Sequence, residues 1–354
     1  MNRYVFTAAI IFILSAQTNA QTSITPLTGL VDSADYFLQK GLAEKEKGRR
    51  LESLKNFEKA ADYDTENKAI TSELASAYHD LRKYNQARMM YIKLVDMGEA
   101  TPANLKMVVQ LSFQLKQHDD VLVYARRLKK SYPAEKVSYY MGKVNYDTDN
   151  YGEAIKYLGE AAKEDPTNAE VPYLIARSYA DMMNYKQAIP YFKKAIELDP
   201  SQNYWIYELG LICYAMHDDQ NALKYIIEAG DKGYKKTSDY MENLGIAYLN
   251  VGNLDEGVGI LKEILVKRPS DMNILNMVAE AYYYKRKYKE AIEYWDKVLE
   301  YDNENASSLY MIGMSYQKMG GGENKQKGIQ LCDKAIEMDP SLAVYKQKKM
   351  MAGL

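Results

Sequence analysis

The residues that could carry chemistry are few and scattered. Three histidines, His79, His118 and His217, stand far apart along the chain. None lies in an HExxH pattern, which would set two imidazoles on one helix face for zinc. Cys213 and Cys332 are not in a CxxC spacing and read as small apolar core residues rather than a redox pair. No GxSxG elbow and no phosphate-cradling glycine loop occurs. The run Gly320-Gly321-Gly322 follows a helical pattern, not a strand, so it reads as a loop. Carboxylates abound, but on helical stretches they fall beside lysines at i, i+4 or face solvent. The expectation is a chain without catalytic residues, bound metal or other cofactor.

Tyrosine is the residue in surplus, 33 of 354. Its ring offers a rigid apolar face with a polar tip, which suits recognition as well as packing. Hydrophobic content is 47% and charged content 27%, which excludes a disordered chain, and a formal charge of −2 gives no reason to expect a general nucleic-acid binder. At the N-terminus, Arg3 precedes an apolar run from Val5 to Leu14, then SAQTNA. That order predicts a secretory signal over residues 1–20, cut after Ala20, and hence a periplasmic or secreted protein. An uncleaved segment would be the only membrane attachment, and the run is short for a span. Residues 21–33 read as a polar leader.

The elements around these residues are helices. Residues 169–202, AEVPYLIARSYADMMNYKQAIPYFKKAIELDPSQ, read as two helices and a turn. Ile175, Ala176 and Tyr179 share one face, and Ala188, Phe192 and Ala195 share the other. Pro200 ends the second helix. Pro190 is expected in the first turns, at small cost. Small residues at 176, 188 and 195 admit close approach, and large ones at 179, 185 and 192 fill what remains. In type and spacing, Ala176, Tyr179, Tyr185, Ala188, Phe192, Ala195 and Pro200 resemble the tetratricopeptide repeat.

The pattern recurs, with units starting near residues 34, 68, 102, 135, 169, 203, 238, 272 and 306. The third is degenerate, and the ninth carries a turn lengthened by three residues around Gly320–Gly322. The segment GDKGYKKTSD replaces the usual proline turn after the sixth. The resemblance implies an all-α, right-handed α-solenoid of about nine helix–turn–helix units over 34–340. Residues 341–354 then read as a C-terminal cap helix. A single pair cannot bury its apolar face, so each needs a neighbour.

The resemblance further implies a concave groove lined by the first helix of each unit. Carried over by position, the groove residues are Lys136, Tyr139, Lys143 and Tyr146, then Tyr173 and Arg177, then Tyr204, Tyr207, Leu211 and Tyr214. Lys136, Lys143 and Arg177 make this stretch basic, and Asp239, Glu242 and Glu280 make the next one acidic. The Lys–Asn clamp that some relatives use for C-terminal carboxylates is absent in this register: Lys106 is followed by Gln110, and Tyr140 and Glu170 stand at other clamp positions. The expected function is a non-enzymatic scaffold of the cell envelope that holds an extended protein segment. The alternatives are a glycan-binding module or self-assembly through the cap helix.

Overall fold

A computed structural model of the chain describes residues 33–344, and the expected signal segment (1–20) and most of the leader lie outside them. Ser33, read as leader, instead caps the first helix: its Oγ accepts from the Tyr36 N–H at 3.2 Å. Among the described residues there are eighteen α-helices and no strand. None is long and apolar enough to cross a membrane. The fold is all-α, as expected. Contacts divide the chain into two compact units, one up to Asp120 and one from Val121.

In the first unit, α1 (Ala34–Glu46) packs on α2 (Arg50–Tyr63), and α3 (Lys68–Asp80) packs on α4 (Tyr84–Asp96). Helix α5 (Pro102–Gln114) packs on α4, and α6 (His118–Ser131) follows it in the chain. Leu54, Phe57, Ile70 and Leu74 form one core there. In the second unit, α7 (Ser138–Asp147) pairs with α8 (Tyr151–Glu164), α9 (Glu170–Asp181) with α10 (Tyr185–Leu198), and α11 (Asn203–Ala215) with α12 (Asp219–Asp231). Then α13 (Ser238–Asn250) pairs with α14 (Leu254–Lys267), α15 (Met272–Tyr284) with α16 (Tyr288–Tyr301), and α17 (Ala306–Met319) with α18 (Gly322–Met338).

One contact recurs in these pairs. Glycine on the first helix meets a large residue sixteen positions later on the second: Gly41 with Phe57, Gly142 with Leu158, Gly210 with Ile226, Gly245 with Leu261. A Cβ built at Gly142 would lie 2.6 Å from Leu158 Cγ and 3.0 Å from its backbone nitrogen. Alanine takes the small position opposite Phe192 and Trp295, where Ala176 and Ala279 are fully buried. In the last pair Gly313 meets Cys332, three positions further on. The extra residues there do not make a longer loop. They enter α17 and α18, and the link narrows to Gly320 and Gly321 at φ 77° and 84°.

The turn inside each pair also repeats. Its left-handed position is Gly48, Arg82, Lys116, Asp149, Met183, His217, Gly252 and Arg286 in successive pairs. After α9 the Met183 N–H bonds the Ala180 carbonyl and the Asn184 N–H bonds the Tyr179 carbonyl, both at 2.8 Å. This is the Schellman pattern, usually closed by glycine. Among the described residues, five pairs end on an aspartate, Asp64, Asp165, Asp199, Asp302 and Asp339, whose carboxylate accepts a backbone N–H two residues on, as Asp165 does from Thr167 and Asp199 from Ser201, both at 3.1 Å.

Three expectations change. Helix α7 begins at Ser138, not near Glu135, because the α8 residue Glu164 accepts the Ser138 N–H at 3.1 Å and fixes the first turn there. Pro190 lies beyond the first turn of α10, so its missing N–H does break the helical ladder. Of the cap helix, Pro340–Leu342 forms a 3-10 turn leading into 343–344, and the remainder lies outside the described residues.

Gly142→Ala is expected to lower stability by about 1–3 kcal/mol through overpacking, although alanine is the better helix former. Met183→Gly should raise it by about 0.5–1 kcal/mol, by removing left-handed strain at a side chain that is 79% exposed. Urea unfolding of the two variants beside the parent checks both signs.

Candidate interaction face

The groove residues sit on α7, α9 and α11, except Lys136, which precedes α7 and is exposed. Side chains from successive first helices reach one another. The Tyr139 hydroxyl donates to Glu170 at 2.7 Å, and the Tyr146 hydroxyl donates to Asp181 at 3.2 Å. Arg177 pairs with Asp181 on its own helix at 3.4 Å and with Glu208 on α11. Tyr173 stacks on Trp205, centroids 4.6 Å apart. Lys143 pairs with Asp147 and lies over the Tyr146 ring at 5.5 Å.

The expected basic end is therefore corrected. Lys143 and Arg177 are both engaged by carboxylates, and Asp147, Glu170, Asp181 and Glu208 outnumber them. The Glu208 side chain is 12% exposed, and its Oε2 is buried without a hydrogen-bond partner. Burial, then the paired carboxylates, raises the phenols: Tyr139 and Tyr173 well above the usual range, and Tyr146, where the nearby Arg177 opposes the rise, to about 12. All three stay protonated at neutral pH, and Tyr139 and Tyr146 act as donors.

The α11 tyrosines divide. Tyr204 and Tyr214 are 46% and 42% exposed. Tyr207 is 6% exposed, and this corrects its assignment to the groove. Its ring stacks on Tyr234 at 4.4 Å, its hydroxyl accepts from Asn243 at 2.8 Å, and it belongs to a core with Ile206, Ile226 and Tyr240. Leu211 is half-buried against that same core. Tyr234 comes from the GDKGYKKTSD segment, where Gly233 at φ 90° turns the chain back. The aberrant turn thus delivers a ring onto α11.

Sequence reasoning missed Asp181, Trp205 and Glu208. Asp181 and Glu208 each lie four residues after a named one, Arg177 and Tyr204, and that spacing was the available signal. Nothing local marked Trp205. Both cysteines are buried, and burial pushes the Cys213 thiol up to about 11, away from the reactive thiolate. His217 occupies a left-handed turn.

Tyr207→Ala is expected to cost about 3–5 kcal/mol, like other large buried truncations. Tyr207→Phe should cost about 1 kcal/mol by leaving Asn243 without its acceptor. Tyr214→Ala should stay within about 0.5 kcal/mol. Denaturant titration of the three separates packing from surface.

Comparison with known proteins accords with this architecture. Tetratricopeptide repeat family models match residues 146–206 and 273–305. Human Superkiller complex protein 3 is 30% identical over 82 residues, which is 23% of this chain and 5% of that protein. The chain thus spans a small fraction of that relative. Among solved structures, YrrB, described as a TPR protein with an unusual peptide-binding site, is 21% identical, covering 54% of this chain and 97% of its own, at a TM-score of 0.44. MamA is 23% identical, covering 48% and 93%, at 0.41. The Cut9–Hcn1 hetero-tetramer of APC/C is 17% identical, covering 83% and 57%, at 0.37. Two direct family matches identify tetratricopeptide repeats in this chain, and the same helix pair, with its small-to-large contact and left-handed turn, recurs on either side of them.

Proposed function

We propose that the chain is a non-enzymatic protein-interaction scaffold of the cell envelope, exported by residues 1–20 and holding an extended partner segment along its first helices. The observation that carries this reading is the pair Tyr204 and Tyr214, two exposed rings on one helix beside a face where Tyr139, Lys143, Tyr146 and Arg177 are already paired. Pre-paired side chains lose little freedom on binding, so contact with exposed aromatic anchors yields more net affinity. With Lys143 and Arg177 engaged, the face favours a neutral or basic segment over an acidic one.

The test is affinity capture from envelope extract with the chain from Gln21 onward, beside a Tyr204→Ala, Tyr214→Ala variant of unchanged helix content. A protein captured by the parent and lost by the variant is expected. Equal capture by both would overturn the face assignment. Salt that weakens capture supports a charged peptide, whereas binding indifferent to salt, with no protein captured, would favour the glycan alternative. For export, the expected outcome is a mature N-terminus at Gln21 in the extracytoplasmic fraction, read by N-terminal sequencing.

A further inference from the structure

A second feature lies further along the same helices. Between α11, α13 and α15 is a cleft of about 280 Å³, just below the usual range of small-molecule pockets, roughly 300–1,000 Å³. Its walls are aliphatic, from Ile246, Leu249, Leu254 and Met277. Tyr214 and Tyr284 line it too, and Tyr284 is 75% exposed. Among its lining residues Glu280 is the one carboxylate, and it has no hydrogen bond or ion pair among the described residues.

The groups that could neutralise Glu280 are committed elsewhere. Lys285 pairs with Asp255 of α14. The Asn250 amide, which also lines the cleft, donates to Asp219 at 3.1 Å. Partial burial of an otherwise exposed side chain raises the Glu280 carboxyl above its ordinary value. Glu280 is exposed at the edge of the cleft, so a cation from a partner can reach its carboxylate.

We propose that this cleft takes a single lysine or arginine side chain from the segment held on the first-helix face. The aliphatic stem lies along the Leu249–Met277 wall. The cation meets Glu280, and the Tyr214 and Tyr284 rings flank it. Three features select this occupant: the cleft has one side chain's length of apolar wall, one unpaired negative charge, and aromatic faces that attract cations. Tyr214 joins the cleft to the exposed ring pair on α11, so one extended segment reaches both. This assignment rests on the scaffold reading and names the chemistry of its partner.

The probe is an acetylated, amidated glycine–serine peptide with lysine at alternate positions, titrated into the protein by calorimetry. The control peptides carry norleucine or glutamate in place of lysine. Tight binding of the lysine peptide alone is expected, with at least about a tenfold loss in Glu280→Gln, as for a partly desolvated charge pair. Glu263→Gln, which removes an exposed carboxylate elsewhere, should change nothing. Glu280→Gln should unfold no earlier than the parent, since the exposed Glu280 side chain makes no hydrogen bond or ion pair to lose, so a loss of binding is not a loss of fold. Equal affinity for the norleucine peptide, or unchanged binding in Glu280→Gln, overturns the assignment. The scaffold reading fails separately. If the Tyr204→Ala, Tyr214→Ala variant loses the captured protein while Glu280→Gln keeps it, the scaffold stands and the cation cleft falls.

Discussion

The close approach of paired helices at one small residue sets the rest of this structure. Gly142 admits Leu158 to within a distance that a single Cβ would obstruct, and Gly41, Gly210, Gly245 and Gly313 do the same in their own pairs. Because the interior is close-packed, that approach fixes how far one helix can slide along its partner. The turn closing each pair follows from it. The chain must reverse within about three residues, and the left-handed position is filled by arginine, lysine, aspartate, methionine or histidine where glycine is absent. Strain at those positions is tolerated because the flanking helices are held by their pair contact.

Stacking pairs in this way brings first helices side by side and lets their polar side chains find one another. Tyr139 reaches Glu170, Tyr146 reaches Asp181, and Arg177 bridges Asp181 and Glu208. These bonds have a cost in function as well as a benefit in order. They consume the basic groups that would otherwise face a partner, and they leave exposed aromatic rings and unpaired acid as the distinguishing features. The two exposed α11 tyrosines and the cleft around Glu280 are what remains once pairing is complete.

Departures from the repeat carry as much information as the repeat itself. The GDKGYKKTSD segment lacks the proline turn, and the ring it delivers, Tyr234, seals Tyr207 into the core of the second unit. The ninth unit's extra residues lengthen helices rather than a loop, and its small-to-large contact shifts by the same three positions, so the packing rule survives the insertion.

Local chemistry, written in the sequence, determined the helices, their pairing and the small-to-large alternation. Helical periodicity and residue volume depend only on neighbours a few positions away, and Gly142 and Leu158 or Ala176 and Phe192 announce themselves by spacing. The tertiary structure alone decided which tyrosines are surface. Tyr204, Tyr207 and Tyr214 are alike in the sequence, but Tyr234, from beyond α12, stacks closely on Tyr207 and buries it, while it meets Tyr204 only at 6.3 Å and leaves that ring exposed. It also decided charge. Arg177 reads as a free cation until Glu208, one helix pair away, comes into contact. Glu280 reads as one acid among many until its neighbours are seen to be engaged elsewhere. Burial and pairing between repeats are set by how far stacked helices turn and slide, and no stretch of sequence shorter than two units contains that distance.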